Sequence, residues 1–181
     1  MKNYLVIVLF CCFQPLFAQS EVVTSLTLPI RNSLKFNRFI IHPAFSFVRE
    51  QAPLLTFYNK RQWLSFAPQT YLVSYSGRFL QNEGIALGLF QQNEGVITTF
   101  GAVANFAHNI ELQTESNLTF GVNLGFYKSG LNTAKIVTNY PDPLFETIPS
   151  SSFIVFNPGI NYGTTFLDFG VSLTNFLVYN L

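Results

Sequence analysis

Apolar side chains occupy every second position from Leu118 to Phe126: Leu118, Phe120, Val122, Leu124 and Phe126. Between them stand Asn117, Thr119, Gly121, Asn123 and Gly125, with Tyr127 closing the run. A period of two is the signature of a strand, because successive side chains point to opposite faces of a sheet. The second face constrains the fold further. A soluble sheet turns long charged side chains to water, whereas this face is small and neutral. Such a face suits the interior of a barrel, with the bulky face toward lipid.

A soluble β-sandwich with one packed face would alternate in the same way, so composition has to decide. Charged residues make up only 10% of the chain and aromatics 17%, with 21 Phe and 8 Tyr. A typical soluble domain carries about 25% charged residues. With so little charge, much of the surface must face something other than water. No apolar run in the mature part approaches the roughly 18 residues that mark a transmembrane helix. Closed β-barrels are the remaining way to cross a bilayer with every backbone group paired. The expected fold is all-β, an antiparallel transmembrane β-barrel of the outer-membrane type.

The spacing of turns agrees. Gln81-Asn82-Glu83-Gly84 returns as Gln92-Asn93-Glu94-Gly95, an interval that fits a tilted membrane strand of about 9–11 residues plus a turn. Asn and Gly tolerate the left-handed dihedrals of tight turns. A helix between the two copies would be short and would hold Gly84 and Gly88, each costing about 1 kcal/mol relative to Ala. The stretch reads as hairpin, strand, hairpin. A second alternating run covers Thr70 to Phe79, with Leu72 as its one exception. Further strands are expected near 53–63, 84–91, 95–107, 153–163 and 165–177, with a tight turn around Gly163-Thr164. The longest connection runs from Lys128 to Ser152 and contains Tyr140-Pro141-Asp142-Pro143. On outer-membrane barrels long loops face outward and short turns the periplasm.

At the N-terminus, Met1-Lys2-Asn3 precedes an apolar Tyr4–Phe13 and Leu16-Phe17-Ala18, which reads as a secretory signal over residues 1–18. Both cysteines, Cys11 and Cys12, fall inside it, so the mature chain has no thiol for a disulfide or a nucleophile. Cleavage would leave nine basic and nine acidic residues. Without a basic stripe, nucleic acid is not an expected partner. Residues 19–40 read as a polar periplasmic leader, and 41–181 as the strands of the barrel.

Little in the sequence suggests catalysis. His42 and His108 are isolated and lack ligand spacing, so no metal and no cofactor is expected. His108 reads as a loop residue beside Asn109 and Glu111. Glu111 and Glu115 read as solvated, and Asp168 as a polar residue able to line a lumen. No Ser-His-Asp order or phosphate loop is evident. Asn117-Leu118-Thr119 has the glycosylation pattern but lies in a strand. Lys60-Arg61-Gln62-Trp63 ends an apolar strand with two cations and an indole, which fits an interfacial anchor or a cation–aromatic surface patch.

Several motifs in order resemble the PorP/SprF family of type IX secretion membrane proteins. Phe36-Asn37 followed by His42-Pro43-Ala44-Phe45 resembles its aromatic-Asn and Asn-Pro-Ala-Tyr. Arg61-Gln62-Trp63 matches its Arg/Lys-Gln-Trp, and Ala67-Pro68-Gln69-Thr70 its Ala-Pro-x-Thr. Gly84-Ile85-Ala86-Leu87-Gly88, Leu118-Thr119-Phe120-Gly121 and Phe169–Asn175 continue the match, which covers about 36–177. Two departures stand out: His42 replaces an Asn, and Phe45-Ser46-Phe47 replaces Tyr-Ala-Gly. Family members run on past Leu181, so the chain reads as about half of a larger barrel.

The resemblance implies a non-enzymatic component of the type IX system in the outer membrane of a Gram-negative, Bacteroidota-type bacterium. Implied partners are outer-membrane lipid, secreted cargo carrying a C-terminal secretion domain, such as gliding adhesins, and periplasmic secretion or peptidoglycan-binding components. The alternative is a passive channel or small-molecule transporter lined by neutral groups such as Asn123, together with Asp168.

Overall fold

The computed structural model of the protein describes residues 37–45, 52–61, 68–132 and 150–181. They form one antiparallel sheet of eight strands: β1 (Leu54–Arg61), β2 (Gln69–Arg78), β3 (Glu83–Glu94), β4 (Ile97–Gln113), β5 (Ser116–Leu131), β6 (Ser151–Thr164), β7 (Asp168–Ser172) and β8 (Leu177–Asn180). Each strand from β1 to β6 pairs with the next in sequence, as in a barrel wall laid out in order. Among the described residues the sheet is open, with β1 at one edge and β7 and β8 sharing the other. In hydrocarbon those edges require pairing, because unpaired backbone groups there have no water to bind. No described helix is long and apolar enough to cross a membrane.

The repeated Gln-Asn-Glu-Gly motif does what its spacing predicts. Its first copy runs from the bend between β2 and β3 into the start of β3, and its second runs from the end of β3 into the 95–96 turn. Gly95 takes φ 58° in that second turn, a conformation glycine adopts without steric cost. The turns between β2 and β3, β4 and β5, and β6 and β7 gather at one end of the sheet, the turn end. The 95–96 turn lies at the opposite, loop end, as do the strand ends at Arg61, Gln69, Leu131 and Ser151.

Alternation sorts the faces as read from sequence. On β5, Thr119, Gly121, Asn123 and Gly125 are buried while Phe120 and Leu124 stand exposed. Large apolar side chains such as Leu55, Phe57, Tyr71, Val73 and Leu87 continue this exposed face across β1 to β3. A water-soluble sheet would hide that face, since contiguous apolar patches of this kind mark contact with another apolar phase.

Two expectations about the strands are corrected. His108 is a strand residue rather than a loop residue: β4 runs on to Gln113 and His108 pairs with Phe120 and Glu83. The apolar period continues past it, with Phe106 and Ile110 outward beside it. Its Nδ1 stands 3.7 Å from Glu83 Oε1, an exposed contact worth little.

The single strand expected over 165–177 is instead two, β7 against Gly159–Gly163 and β8 against Phe153–Phe156. Pro158 supplies the reason. Its carbonyl accepts from Leu173 N at 3.0 Å, so its ring nitrogen faces the same neighbour and has no hydrogen to give. The neighbour leaves the ladder there. Asn175 turns to φ 57° and donates its N–H to Asn157 Oδ1 at 2.5 Å. The turn before β7 is closed by Thr164 and Leu167.

Candidate functional site: a plugged inner face

The inner face is not empty. Residues 37–45 lie across it as a short helix, α1 (Arg38–Ile41), followed by a 3-10 turn over Pro43–Phe45. The boundary anticipated between leader and barrel, at 40 and 41, falls inside α1. A helix of four residues has no intrinsic stability, so the wall must hold it.

Glycines make the seat. A Cβ at Gly121 would stand 2.3 Å from the carbonyl carbon and oxygen of Pro43. At Gly159 it would stand 2.7 Å from Pro43 Cγ, and at Gly170 2.9 Å from His42 Nε2. Three neighbouring strands therefore carry glycine where the plug's backbone and rings press closest. Phe39 enters from the other side and packs with Leu72, Ala86, Phe90 and Val103 into the buried core. Gly88 leaves room for its ring, 3.3 Å from where a Cβ would be. Leu72, the lone apolar residue on the polar face of β2, is explained by this contact: it faces inward because the plug brings a ring to meet it.

Polar side chains of the wall satisfy the plug's backbone. Asn105 Nδ2 donates to Pro43 O at 2.9 Å and to Asn123 Oδ1 at 2.6 Å. Asn123 Nδ2 donates to Phe39 O at 2.6 Å. Ser74 Oγ donates to Asn37 Oδ1. Within the plug, Ile40 N donates to Asn37 O, His42 N to Arg38 O and Phe45 N to His42 O. Buried carbonyls left unpaired would cost about 1–3 kcal/mol each, so the neutral Asn and Ser side chains match the plug as closely as its apolar contacts do.

His42 makes the turn that its position requires. Its Nδ1 accepts the N–H of Ala44 at 3.2 Å, two residues on, as an Asn side-chain oxygen does in an Asx turn. The ring stacks on Phe45 with centroids 4.3 Å apart. The departure from Asn at this point thus preserves the turn.

Of the sequence-identified motif residues, Asn37, His42, Pro43 and Ala44 come together here, all buried. Arg61 does not: it is exposed at the end of β1, opposite Gln69. Phe36, Gln62 and Trp63 lie outside the described residues, as do the signal segment and most of the leader. Asp168 pairs with Gly163 at the turn end and is exposed. Beside it a polar bowl of about 470 Å³ opens, lined by residues including Arg78, Glu83, Asn109, Glu111 and Glu115. From the sequence, Gly159, Gly163 and Gly170 are expected to mark bends or close packing within the sheet. Gly159 and Gly170 receive the plug, whereas nothing local marks Asn105, which acts only across strands.

A plugged, outward-apolar sheet built strand by strand is the setting for the comparison with known families. The model of the family described as type IX secretion system membrane protein PorP/SprF matches residues 23–181. The chain belongs to the PorP/SprF family. This identity, anticipated from the motifs between Phe36 and Asn175, makes it a membrane component of the type IX secretion system. The all-β sheet is consistent with the outer membrane. No curated protein and no solved structure matches the chain.

Proposed function

We propose that this PorP/SprF member is a non-enzymatic outer-membrane scaffold that receives or holds cargo during type IX secretion. The cargo would carry a C-terminal secretion domain, as surface adhesins used in gliding do. Periplasmic secretion components, including ones that bind peptidoglycan, would meet its short-turn side. The observation that carries the reading is the seated plug. A passive channel needs an open polar path, and here residues 37–45 occupy the inner face with their backbone bonded to Asn105 and Asn123.

The loop-length rule orients the sheet. The 132–150 connection would face outward and the short turns, with the polar bowl, the periplasm. Chain entry into β1 from the turn end then brings the plug in from the periplasmic side, where components of the system can reach it.

Removing the gene tests this directly. Cargo should fail to appear at the cell surface while uptake of small solutes stays at the parental rate. Uptake that falls with surface cargo intact would instead support the channel reading.

A further inference from the structure

The turn at His42 carries a consequence that an Asn at the same point would not. Because Nδ1 accepts the Ala44 N–H, the one proton of the neutral ring sits on Nε2. The Nε2 atom is buried without a hydrogen bond of good geometry, and the Val171 backbone beside it favours the proton in part. Asn161 Oδ1, also buried and without a hydrogen-bond partner, lies with Nε2 against Gly170. A second proton on the imidazole has only Nδ1 to occupy. There it would turn an acceptor into a donor pointing at the Ala44 N–H, and would add a charge to a seat of glycine, proline and phenylalanine.

We propose that residues 37–45 form an acid-released plug with His42 as its latch: protonation of the ring breaks the turn at Ala44, and the segment leaves the inner face. Release uncovers Asn105, Asn123 and Asn161, a neutral polar wall accessible to water. This goes beyond the scaffold role and holds whichever cargo is carried.

Among the described residues, the wall against the ring is neutral, and the one acid of β7, Asp168, stands toward the turn end. The inner faces of β5 and β6 beside it present Thr119, Gly121, Asn123, Gly159 and Asn161. On β7, Asp168 shares the face of Gly170, two residues nearer the turn. On the plug itself, Arg38 is exposed. His42 lies outside the membrane-spanning strands, and burial pushes its ring below the ordinary imidazole range, with the Val171 backbone opposing in part. The seated state therefore binds fewer protons than the released one. Seating is fully favoured above the released ring's value of about 6.5 and weakens as pH falls below it.

Both cysteines of the sequence, Cys11 and Cys12, fall in the expected signal segment, so in the processed chain one introduced thiol would report the plug. Ser74→Cys conserves volume on the wall beneath Asn37. Its labelling by a small methanethiosulfonate would be measured in native membranes and divided by that of Thr165→Cys, an exposed turn position, at each pH. Between about pH 7.5 and 4.5 the normalised rate should rise roughly tenfold or more, with a midpoint below about 6.5. In a His42→Asn background, which keeps the acceptor for Ala44 but cannot titrate, the change should stay below roughly twofold. A flat wild-type profile, a midpoint above that value, or an equal rise in His42→Asn would overturn the proposal. The wild-type profile alone suffices if that variant does not assemble.

Discussion

Replacing Phe39 with alanine should destabilise the folded sheet by about 3–5 kcal/mol, the range for truncating a buried aromatic. The ring is the plug's main apolar contribution, lying among Leu72, Ala86, Phe90 and Val103 at 2% exposure. Its loss leaves a cavity that the wall cannot close, because strands held on both sides by ladders do not collapse inward. It also loosens the carbonyl that Asn123 satisfies. Phe39→Leu should retain most of the stability, losing less than about 1.5 kcal/mol if the leucine repacks. The measurement is the unfolding midpoint in lipid or mild detergent, read by the gel-mobility change of folded barrels. An alanine variant within about 1 kcal/mol of wild type would mean that the plug does not stabilise the wall.

The second large effect concerns the outer face. Leu124 lies midway along β5, 52% exposed, opposite Ala104 and Phe156. In water, Leu124→Arg would change stability by no more than about 0.5 kcal/mol, as surface substitutions usually do. In a bilayer it should cost about 2–4 kcal/mol near the midplane. Leu112→Arg provides the depth control. Leu112 is equally exposed but stands beside the turn-end hairpin, where the cost should fall to about 0–1 kcal/mol. Equal small effects at both positions would contradict a lipid-facing sheet. Equal large ones would point to a protein contact rather than a depth-dependent solvent.

These two residues also mark what the sequence made legible. Period two sorts Leu124 and its neighbours onto one face and composition turns that face outward, because each strand reports its own faces without knowledge of its partners. The repeated Gln-Asn-Glu-Gly turns were legible for the same local reason. The plug was not. Over Asn37–Phe45 the apolar residues follow no sustained period, and the four residues of α1 are too few to reveal a helical one. What stabilises the segment lies far along the chain, from Leu72 and Ser74 to Gly159 and Gly170.

Leu72 was a visible symptom, an apolar residue on a polar face, but its cause lay in Phe39. Pro158 was equally visible, and a proline inside a strand could have announced the break between β7 and β8. His42 had looked like a lost motif residue. The geometry makes it a working substitute, because imidazole Nδ1 and an amide oxygen can accept the same N–H. The family motifs were recoverable because their order along the chain is itself information, independent of any contact.

Whether this plugged sheet works in type IX secretion is read from affinity isolation of the native protein from outer membranes in mild detergent, with mass spectrometry of what accompanies it. Cargo bearing a C-terminal secretion domain should come with it, together with periplasmic secretion components. Recovery of the protein alone from outer membranes that still contain those components would contradict a role in secretion.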